Sequence, residues 1–161
     1  MPTPTPGDAV PDIGDAAADV ETPAVLIDLD VMERNVDLFA DFADEQGVSL
    51  RSHAKTHKTP AIANYQHDRT GGGILCQTLS EAETFAHGGV DDIYLSYMVV
   101  GERKLDRLVS LSESIGSFAT TVDGPGNVLP LQDAAARHGA TVHVLLEIDL
   151  GMNRVGVAPE D

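Results

Sequence analysis

The chain has 161 residues, which is enough for one domain with its own hydrophobic core. Its formal net charge is −16, from 26 acidic and 10 basic residues, and this charge argues against nucleic-acid or anionic-membrane partners. A single cysteine, Cys76, excludes an intrachain disulfide, and the sequence has no Cys/His zinc pattern. It also has no secretory signal pattern and no apolar run of membrane-spanning length, so we expect a cytoplasmic protein.

The excess of acidic residues comes with a scarcity of lysine, which accounts for three residues against seven arginines. This combination is typical of halophilic proteins, in which many carboxylates keep the surface hydrated at high salt. An ordinary acidic cytosolic protein is the alternative. Dialysis into low salt distinguishes the two, because a chain that stays fully folded there is not halophilic.

Residues 1–20 are rich in Pro, Asp, Ala and Thr and lack hydrophobic periodicity, which predicts a disordered acidic leader. The ordered domain is expected over residues 21–161. It begins with a short apolar strand over residues 24–27, and a helix follows this strand.

The remainder of the chain alternates predicted strands with predicted helices. Asp30 is the predicted N-cap of the first helix, with Glu33 as its capping-box partner and Gly47 after its end. A later helix is predicted to begin at Ser80, with Glu83 as the capping partner. Further strands are predicted near residues 48–55, 73–76, 93–95, 118–122 and 141–148, with a helix after each of the first four.

Strands that alternate with helices predict right-handed βαβ crossovers and a parallel sheet, so the fold class is α/β. The strands are continuous apolar runs, as expected when both faces of a sheet are buried. Gly71–Gly73 precedes a strand instead of joining a strand to a helix, so we interpret it as a flexible turn and not a phosphate loop. Residues after the strand ends should line the functional face: Lys55, Gln77–Thr78, Ser96–Tyr97, Asp123 and residues 149–154.

Lys55 is the strongest catalytic candidate, because it follows a predicted strand in a chain that has few lysines. A lysine amine forms a Schiff base with a carbonyl, and arginine cannot, because it stays protonated. Nearby cations favour the neutral, nucleophilic amine, and Arg51, His53, His57 and Lys58 supply them. We therefore predict that Lys55 holds pyridoxal 5′-phosphate (PLP). A surface lysine in a polar loop is the alternative.

Three other features have structural explanations. His53 and His57 would share a face on a helix and could then bind a metal, but they straddle a predicted strand–loop junction. A role in shaping the loop or in hydrogen bonding near the cofactor is favoured. The acidic run at residues 80–83 is typical of a helix start, and Cys76 is interpreted as a small buried hydrophobe.

Arg154 is the second candidate binding residue. Gly151 and Gly156 bracket it, so the backbone can turn closely around it. An arginine at a strand end can bind an anionic oxygen through its fork of donors. A surface ion pair with Asp149 or Glu147 is the alternative.

Four segments together resemble one known family: Thr22–Asp30, Leu50–Lys58, Cys76–Glu83 and Glu147–Gly156. They are similar to segments of D-threonine aldolases and eukaryotic-type D-serine dehydratases, which are alanine-racemase-like PLP enzymes. The resemblance extends from residue 22 to about residue 157. It implies a PLP-binding (β/α)₈ TIM-type barrel, of which the predicted strands are the first five.

The resemblance also implies roles for individual residues. Lys55 corresponds to the lysine that binds PLP covalently, Arg154 corresponds to the arginine that contacts the cofactor ring oxygen, and His53 is expected at the cofactor. The strand at residues 24–28 would join a C-terminal β-domain that is absent here. A divalent metal, Mn²⁺ or Zn²⁺, is expected in the full-length enzyme with ligands outside this chain, as is a homodimer.

The implied function is a PLP-dependent lyase that acts on small D-3-hydroxy amino acids. Aldol cleavage of the Cα–Cβ bond, as in D-threonine aldolase, would give glycine and an aldehyde. D-serine dehydration and amino-acid racemisation are alternatives within the fold, and a non-catalytic PLP-binding protein is the alternative from another class. A complete barrel takes about 250 residues, so we expect this chain to be the N-terminal part of such an enzyme.

Overall fold

The computed structural model describes residues 11–159, in which five α-helices alternate with five strands. Residues 1–10 of the predicted leader and the last two residues lie outside this range. The strands are β1 (Leu50–His53), β2 (Gly71–Cys76), β3 (Asp92–Leu95), β4 (Ser117–Val122) and β5 (His143–Leu146). The helices are α1 (Leu29–Gln46), α2 (Pro60–Thr70), α3 (Leu79–His87), α4 (Glu102–Ser114) and α5 (Pro125–His138). No helix within residues 11–159 is both long and apolar enough to cross a membrane.

The five strands form one sheet in the order β1-β2-β3-β4-β5, and each neighbouring pair is parallel. Each helix from α1 to α5 contacts the next, and α2, α3 and α4 also pack against strands, so the helices form one layer on one face of the sheet. Each crossover advances by one strand in the same direction, as in a (β/α)₈ barrel. The predicted α/β fold with the first five strands of a barrel is confirmed.

The core lies between the centre of the sheet and this helix layer. Ile74, Cys76, Ile93 and Leu95 are almost completely buried, and they alternate along β2 and β3 with residues that are less buried. Burial of a large aliphatic side chain contributes about 1.5–3 kcal/mol to folding. The helices supply the opposite side of the core, through Ala63, Ala82, Phe85, Leu105, Leu108, Val109, Leu131 and Ala134.

The glycine run Gly71–Gly73 forms the start of β2, so its interpretation as a flexible turn is wrong. The pairing of β1 with β2 shifts register at this point. A Cβ at Gly72 would overlap the first backbone carbonyl of β1, and one at Gly73 would overlap the side chains of Arg51 and Asp92. Glycine is therefore needed because the backbones and this ion pair approach closely, which is an established use of glycine within strands.

The β5 edge of the sheet is exposed, whereas the centre is buried and the β1 edge is half-buried. All four residues of β5 are exposed, so the expectation that both faces of every strand are buried is wrong here. The apolar segment at residues 24–27 is not a strand either, and Val25 is 94% exposed. A strand needs a neighbour with which to share hydrogen bonds, and none of the described residues pairs with this segment.

The first helix begins earlier than predicted. Asp28 is its N-cap, and the Asp28 carboxylate accepts a hydrogen bond from the backbone N–H of Val31 at 3.0 Å. The predicted cap, Asp30, lies inside the helix, where its charge favours the N-terminal turn. Gly47 ends the helix with a φ of 65°, as predicted for a C-terminal glycine.

The start of α3 is displaced from the prediction in the same way. Thr78 is the N-cap, and its hydroxyl accepts a hydrogen bond from the backbone N–H of Glu81 at 3.2 Å. The Glu81 carboxylate accepts one in return from the Thr78 backbone N–H, which completes a capping box. The predicted pair of Ser80 and Glu83 has the same spacing two residues later, so the sequence motif alone could not distinguish the two registers.

Arginines join neighbouring helices across the outer surface. At three helix contacts, an arginine on the later helix pairs with a carboxylate on the earlier one: Arg69 with Asp37 and Asp41, Arg107 with Glu83, and Arg137 with Asp106. Exposed ion pairs of this kind each contribute little to stability. Their common direction shows that the few basic residues are used to join the helix layer.

Candidate functional site

Lys55 lies in a short 3₁₀ turn, Ala54–Thr56, that directly follows β1. Ala54 is completely buried while Lys55 is exposed, so the turn is anchored in the core beside an accessible amine. The backbone carbonyl of Ala54 accepts hydrogen bonds from the backbone N–H groups of His57 at 3.3 Å and Lys58 at 2.8 Å. These contacts hold Lys55 at the carboxyl end of the parallel sheet, where catalytic residues of barrel enzymes lie.

The Lys55 amine lies beside the side chain of Gln77, the first residue after β2. Lys55 Nζ is 3.5 Å from Gln77 Oε1, and His53 Nε2 is 3.4 Å from the same oxygen. His53 Nδ1 accepts a hydrogen bond from the Lys55 backbone N–H at 3.4 Å. Because Nδ1 accepts, the neutral imidazole carries its proton on Nε2 and donates it to Gln77. One amide oxygen therefore faces both the lysine and the histidine.

Glu81 connects the Lys55 turn to the segment that carries Gln77. Glu81 Oε1 is 3.1 Å from Lys58 Nζ, and Glu81 Oε2 accepts hydrogen bonds from the backbone N–H groups of Gln77 at 2.9 Å and Thr78 at 3.2 Å. Burial raises the pKa of Glu81, but the hydrogen bonds from Gln77, Lys58 and Thr78 outweigh it, so the net pKa lies below 4.5. Glu81 is therefore ionised at neutral pH and fixes both segments.

Lys58 and Lys55 differ in conformation as well as in partner. Lys58 has a φ of 53°, in the left-handed region that few residues with side chains adopt. Its backbone N–H bond to Ala54 and its ion pair with Glu81 hold this conformation in place. The αL backbone at Lys58 ends the turn and leads the chain into α2.

His57 shapes this turn. Its Nδ1 accepts a hydrogen bond from the Thr59 backbone N–H at 3.1 Å, so its Nε2 donates to Gln66 Oε1 at 3.2 Å. Burial lowers the pKa of His57 by more than these hydrogen bonds raise it, and the ring packs edge-on to Phe85. Residues 11–159 contain no group of three His, Cys, Asp or Glu side chains that could hold a metal ion.

The sheet face opposite the helices carries polar side chains that were not predicted from the sequence. Arg51 Nη2 lies 2.9 Å from both carboxylate oxygens of Asp92, and the hydroxyls of Tyr94 and Thr121 are 2.7 Å apart. Asp92 and Tyr94 alternate along β3 with residues buried against the helices, so they point to the other face. In a closed barrel that face is the interior, and this alternation was the signal that could have identified them.

Arg154 lies in the loop at residues 147–157, which follows β5. Backbone hydrogen bonds between the two ends of the loop close it on itself. Asp149 Oδ1 accepts hydrogen bonds from the backbone N–H groups of Gly151 at 2.9 Å and Asn153 at 3.1 Å, and these bonds lower the pKa of Asp149. Arg154 itself is exposed.

The structure thus brings two of the three predicted site residues together. His53 and Lys55 meet at Gln77, a residue that the sequence placed on the functional face without assigning it a role. Among residues 11–159, no hydrogen bond or ion pair involves Arg154, so the alternative pairing with Asp149 or Glu147 is not formed.

Cys76 is a core residue. It is completely buried, and burial raises the pKa of its thiol to about 12. A thiol with this pKa is not a nucleophile at neutral pH, because the thiolate is the reactive form. The prediction of a small buried hydrophobe is confirmed.

Comparisons with known proteins agree with this architecture. A family model described as alanine racemase, N-terminal domain, matches residues 27–161. The chain is 39% identical over 147 residues to a D-threonine aldolase from Arthrobacter sp., which covers 91% of this chain and 38% of that protein. It is 36% identical over 145 residues to the 3-hydroxy-D-aspartate aldolase of Paracoccus denitrificans, which covers 89% of this chain and 38% of that protein.

Solved structures give the same result. The crystal structure of D-threonine aldolase from Filomicrobium marinum superimposes with a TM-score of 0.86 at 43% identity, over 90% of this chain and 39% of that chain. Proteins named D-threo-3-hydroxyaspartate dehydratase and D-serine dehydratase are also similar. The chain therefore spans about two fifths of the length of the relatives that it matches.

Proposed function

Because the chain belongs to the family described as alanine racemase, N-terminal domain, we propose that Lys55 holds PLP through its amine. The proposal rests on one observation: Lys55 presents an exposed amine at the carboxyl end of a parallel sheet, from a turn that is anchored in the core. A primary amine is the group that captures the PLP aldehyde. When bound, the cofactor supplies an electron sink that stabilises carbanion character at the substrate Cα.

The surrounding residues fit such a group. His53 offers an imidazole and Gln77 offers an amide beside the Lys55 amine, and both can hydrogen-bond to a ligand held there. We assign Arg154 to an anionic oxygen of the cofactor ring, because its donor fork is exposed and not used by any residue within 11–159. His53 would orient the cofactor, while Lys55 would hold it and later exchange a proton at Nζ.

The proposed reaction of the longer protein is aldol cleavage of a D-3-hydroxy amino acid, which breaks the Cα–Cβ bond and gives glycine and an aldehyde. Two of the most similar relatives are named as aldolases, and so is the superimposed structure. The same proposal includes a divalent metal, Mn²⁺ or Zn²⁺, with ligands outside residues 11–159, and a homodimer of the longer protein.

Dehydration is the second candidate, because similar proteins are named as dehydratases of 3-hydroxyaspartate and of D-serine. The two reactions differ in their products. Cleavage of D-threonine releases acetaldehyde and glycine, whereas dehydration releases ammonia and a 2-oxo acid. A PLP-binding protein without catalytic activity would release neither pair.

The binding proposal is tested by titrating the purified chain with PLP and following visible absorbance. We expect a new band in the wild-type chain and in Lys58→Ala, and no such band in Lys55→Ala. Lys58 is the matched control, because it lies three residues away and pairs with Glu81. Borohydride reduction followed by peptide mass spectrometry should place the adduct on Lys55. A band that survives Lys55→Ala, or no band at all, would overturn the proposal.

Activity is tested by adding D-threonine and Mn²⁺ to the longer protein loaded with PLP, because the proposed metal ligands lie outside residues 11–159. Release of acetaldehyde that depends on Lys55 supports the aldolase. Ammonia with a 2-oxo acid supports the dehydratase, and a Lys55-dependent band without either product supports the non-catalytic binding protein.

A further inference from the structure

We propose that Gln77 is a positioning residue that holds the Lys55 amine as a neutral hydrogen-bond partner, an inference that rests on the proposed role of Lys55. Gln77 Oε1 is the acceptor nearest to both Lys55 Nζ, at 3.5 Å, and His53 Nε2, at 3.4 Å. Both distances lie at the long end of the hydrogen-bond range.

The backbone of Gln77 is fixed independently of its side chain. Glu81 Oε2 accepts a hydrogen bond from the Gln77 backbone N–H at 2.9 Å. The same carboxylate pairs with Lys58 through its other oxygen. The Gln77 backbone is therefore tied to both the Lys55 turn and α3, so its side chain extends from a fixed backbone position.

The two neighbouring lysines have partners of different charge. Lys58 faces the carboxylate of Glu81, whereas Lys55 faces the neutral amide of Gln77. A carboxylate holds an ammonium group by charge, and hydrogen bonds to charged groups are the stronger kind. A neutral amide only accepts a hydrogen bond. Lys58 is thus committed to an ion pair, while the Lys55 amine is oriented and remains available to react.

The neutral amide of Gln77, and not only its size, should therefore determine how the Lys55 amine is held. Glutamate at this position would have nearly the same size but would hold Lys55 as Glu81 holds Lys58. Leucine would have a similar volume and would offer no acceptor. We therefore expect two substitutions of nearly equal size to change the reactivity of the Lys55 amine in opposite directions. A general loosening of the structure would change it in the same direction in both variants.

The test is competitive acetylation of the intact chain with trace acetic anhydride, read by peptide mass spectrometry. The chain contains only three lysines, so Lys55, Lys58 and Lys104 are each resolved. Acetic anhydride reacts with the unprotonated amine. We expect Gln77→Glu to slow the acetylation of Lys55 about tenfold and Gln77→Leu to speed it about threefold, with Lys104 unchanged.

Gln66→Leu is the matched control. Gln66 lies in α2 and accepts a hydrogen bond from His57, which follows the Lys55 turn. It forms no hydrogen bond with Lys55, so this variant should leave Lys55 acetylation unchanged. Shifts of the same sign in both Gln77 variants, or no shift in either, would overturn the positioning role.

The PLP titration separates this inference from the proposed function. If the wild-type chain shows the Lys55-dependent band and the Gln77 variants acetylate like the wild type, PLP binding stands and the positioning role fails. If acetylation shifts in opposite directions but no band appears, PLP binding fails, while the control of the Lys55 amine by Gln77 stands.

Discussion

The Lys55 turn and the loop that carries Arg154 both follow strands of one sheet, yet they are held in different ways. The turn buries Ala54 in the core and is joined to the next strand and helix through Gln77 and Glu81. The loop at residues 147–157 closes mainly on itself, and the strand before it is exposed. The segment after a strand is thus held in place by the next strand and helix along the sheet. For β5, no such element lies within residues 11–159.

The largest expected effect comes from disturbing the close approach of β2 to β1, the strand that leads into the Lys55 turn. A Cβ at Gly72 would overlap the backbone of β1, so Gly72→Ala should lower the free energy of unfolding by about 3 kcal/mol. Urea denaturation followed by circular dichroism measures this loss. Gly126→Ala is the control, because a Cβ there meets open space at the start of α5, and it should leave stability unchanged or slightly higher. Equal stability of the two variants would contradict the close packing of β1 and β2.

A smaller effect is expected when the Glu81 carboxylate, which joins the Lys55 turn to the segment that carries Gln77, is removed. Glu81→Ala leaves two backbone N–H groups and Lys58 without their acceptor and should cost about 1–2 kcal/mol. Glu83→Ala removes a partly exposed α3 carboxylate that pairs with Arg107 of α4, and it should cost much less. Thermal unfolding of the two variants side by side makes the comparison, and similar midpoints would show that Glu81 does not anchor the turn.

Glu81 also predicts a dependence on pH. Its pKa lies below 4.5 in the folded chain, so its contribution is complete above the unfolded pKa. That contribution is lost as the pH falls through the lower folded value. The difference in stability between wild type and Glu81→Gln should therefore be constant near neutrality and shrink under acid conditions. A difference that grows on acidification would contradict this assignment.

A weaker pH effect is expected from His57, whose burial lowers its pKa from 6.5. The unfolded chain then binds a proton more readily than the folded chain, so stability falls as the pH drops below about 6.5. His57→Gln should reduce this slope in urea titrations between pH 7 and 5. The matched variant His87→Gln alters an exposed histidine at the end of α3 and should preserve the slope.

The strands were predictable because their apolar runs are local, and each of the five appears near its expected position. The helix starts were less certain, because Asp28 and Asp30 both offer an acceptable cap and only the backbone path decides between them. The glycine run of β2 was misread because glycine also favours turns. Only the approach of a neighbouring strand and of the Arg51–Asp92 pair explains its presence.

The sequence allowed the positions of the candidate site residues on the sheet to be predicted, but not the contacts between their side chains. The alternation of strands and helices placed Lys55 and Gln77 at the same edge of the sheet, because parallel strands end together. That one amide oxygen serves Lys55 and His53 depends on side-chain directions after the strand ends, which no periodicity encodes. The exposure of β5 depends on which neighbours are present, so no local pattern could reveal it.

The smallest effect on stability is expected at Arg154. Because no residue within 11–159 bonds to it, Arg154→Ala should leave the thermal unfolding midpoint unchanged. Arg51→Ala is the control, because it removes an arginine that pairs with half-buried Asp92 and should lower the midpoint clearly. In a PLP titration, however, Arg154→Ala should weaken the Lys55-dependent band if this arginine binds the cofactor. An arginine that affects cofactor binding without affecting folding is a binding residue, whereas equal losses of stability in both variants would mean that the loop at residues 147–157 is packed into the fold as firmly as the Lys55 turn.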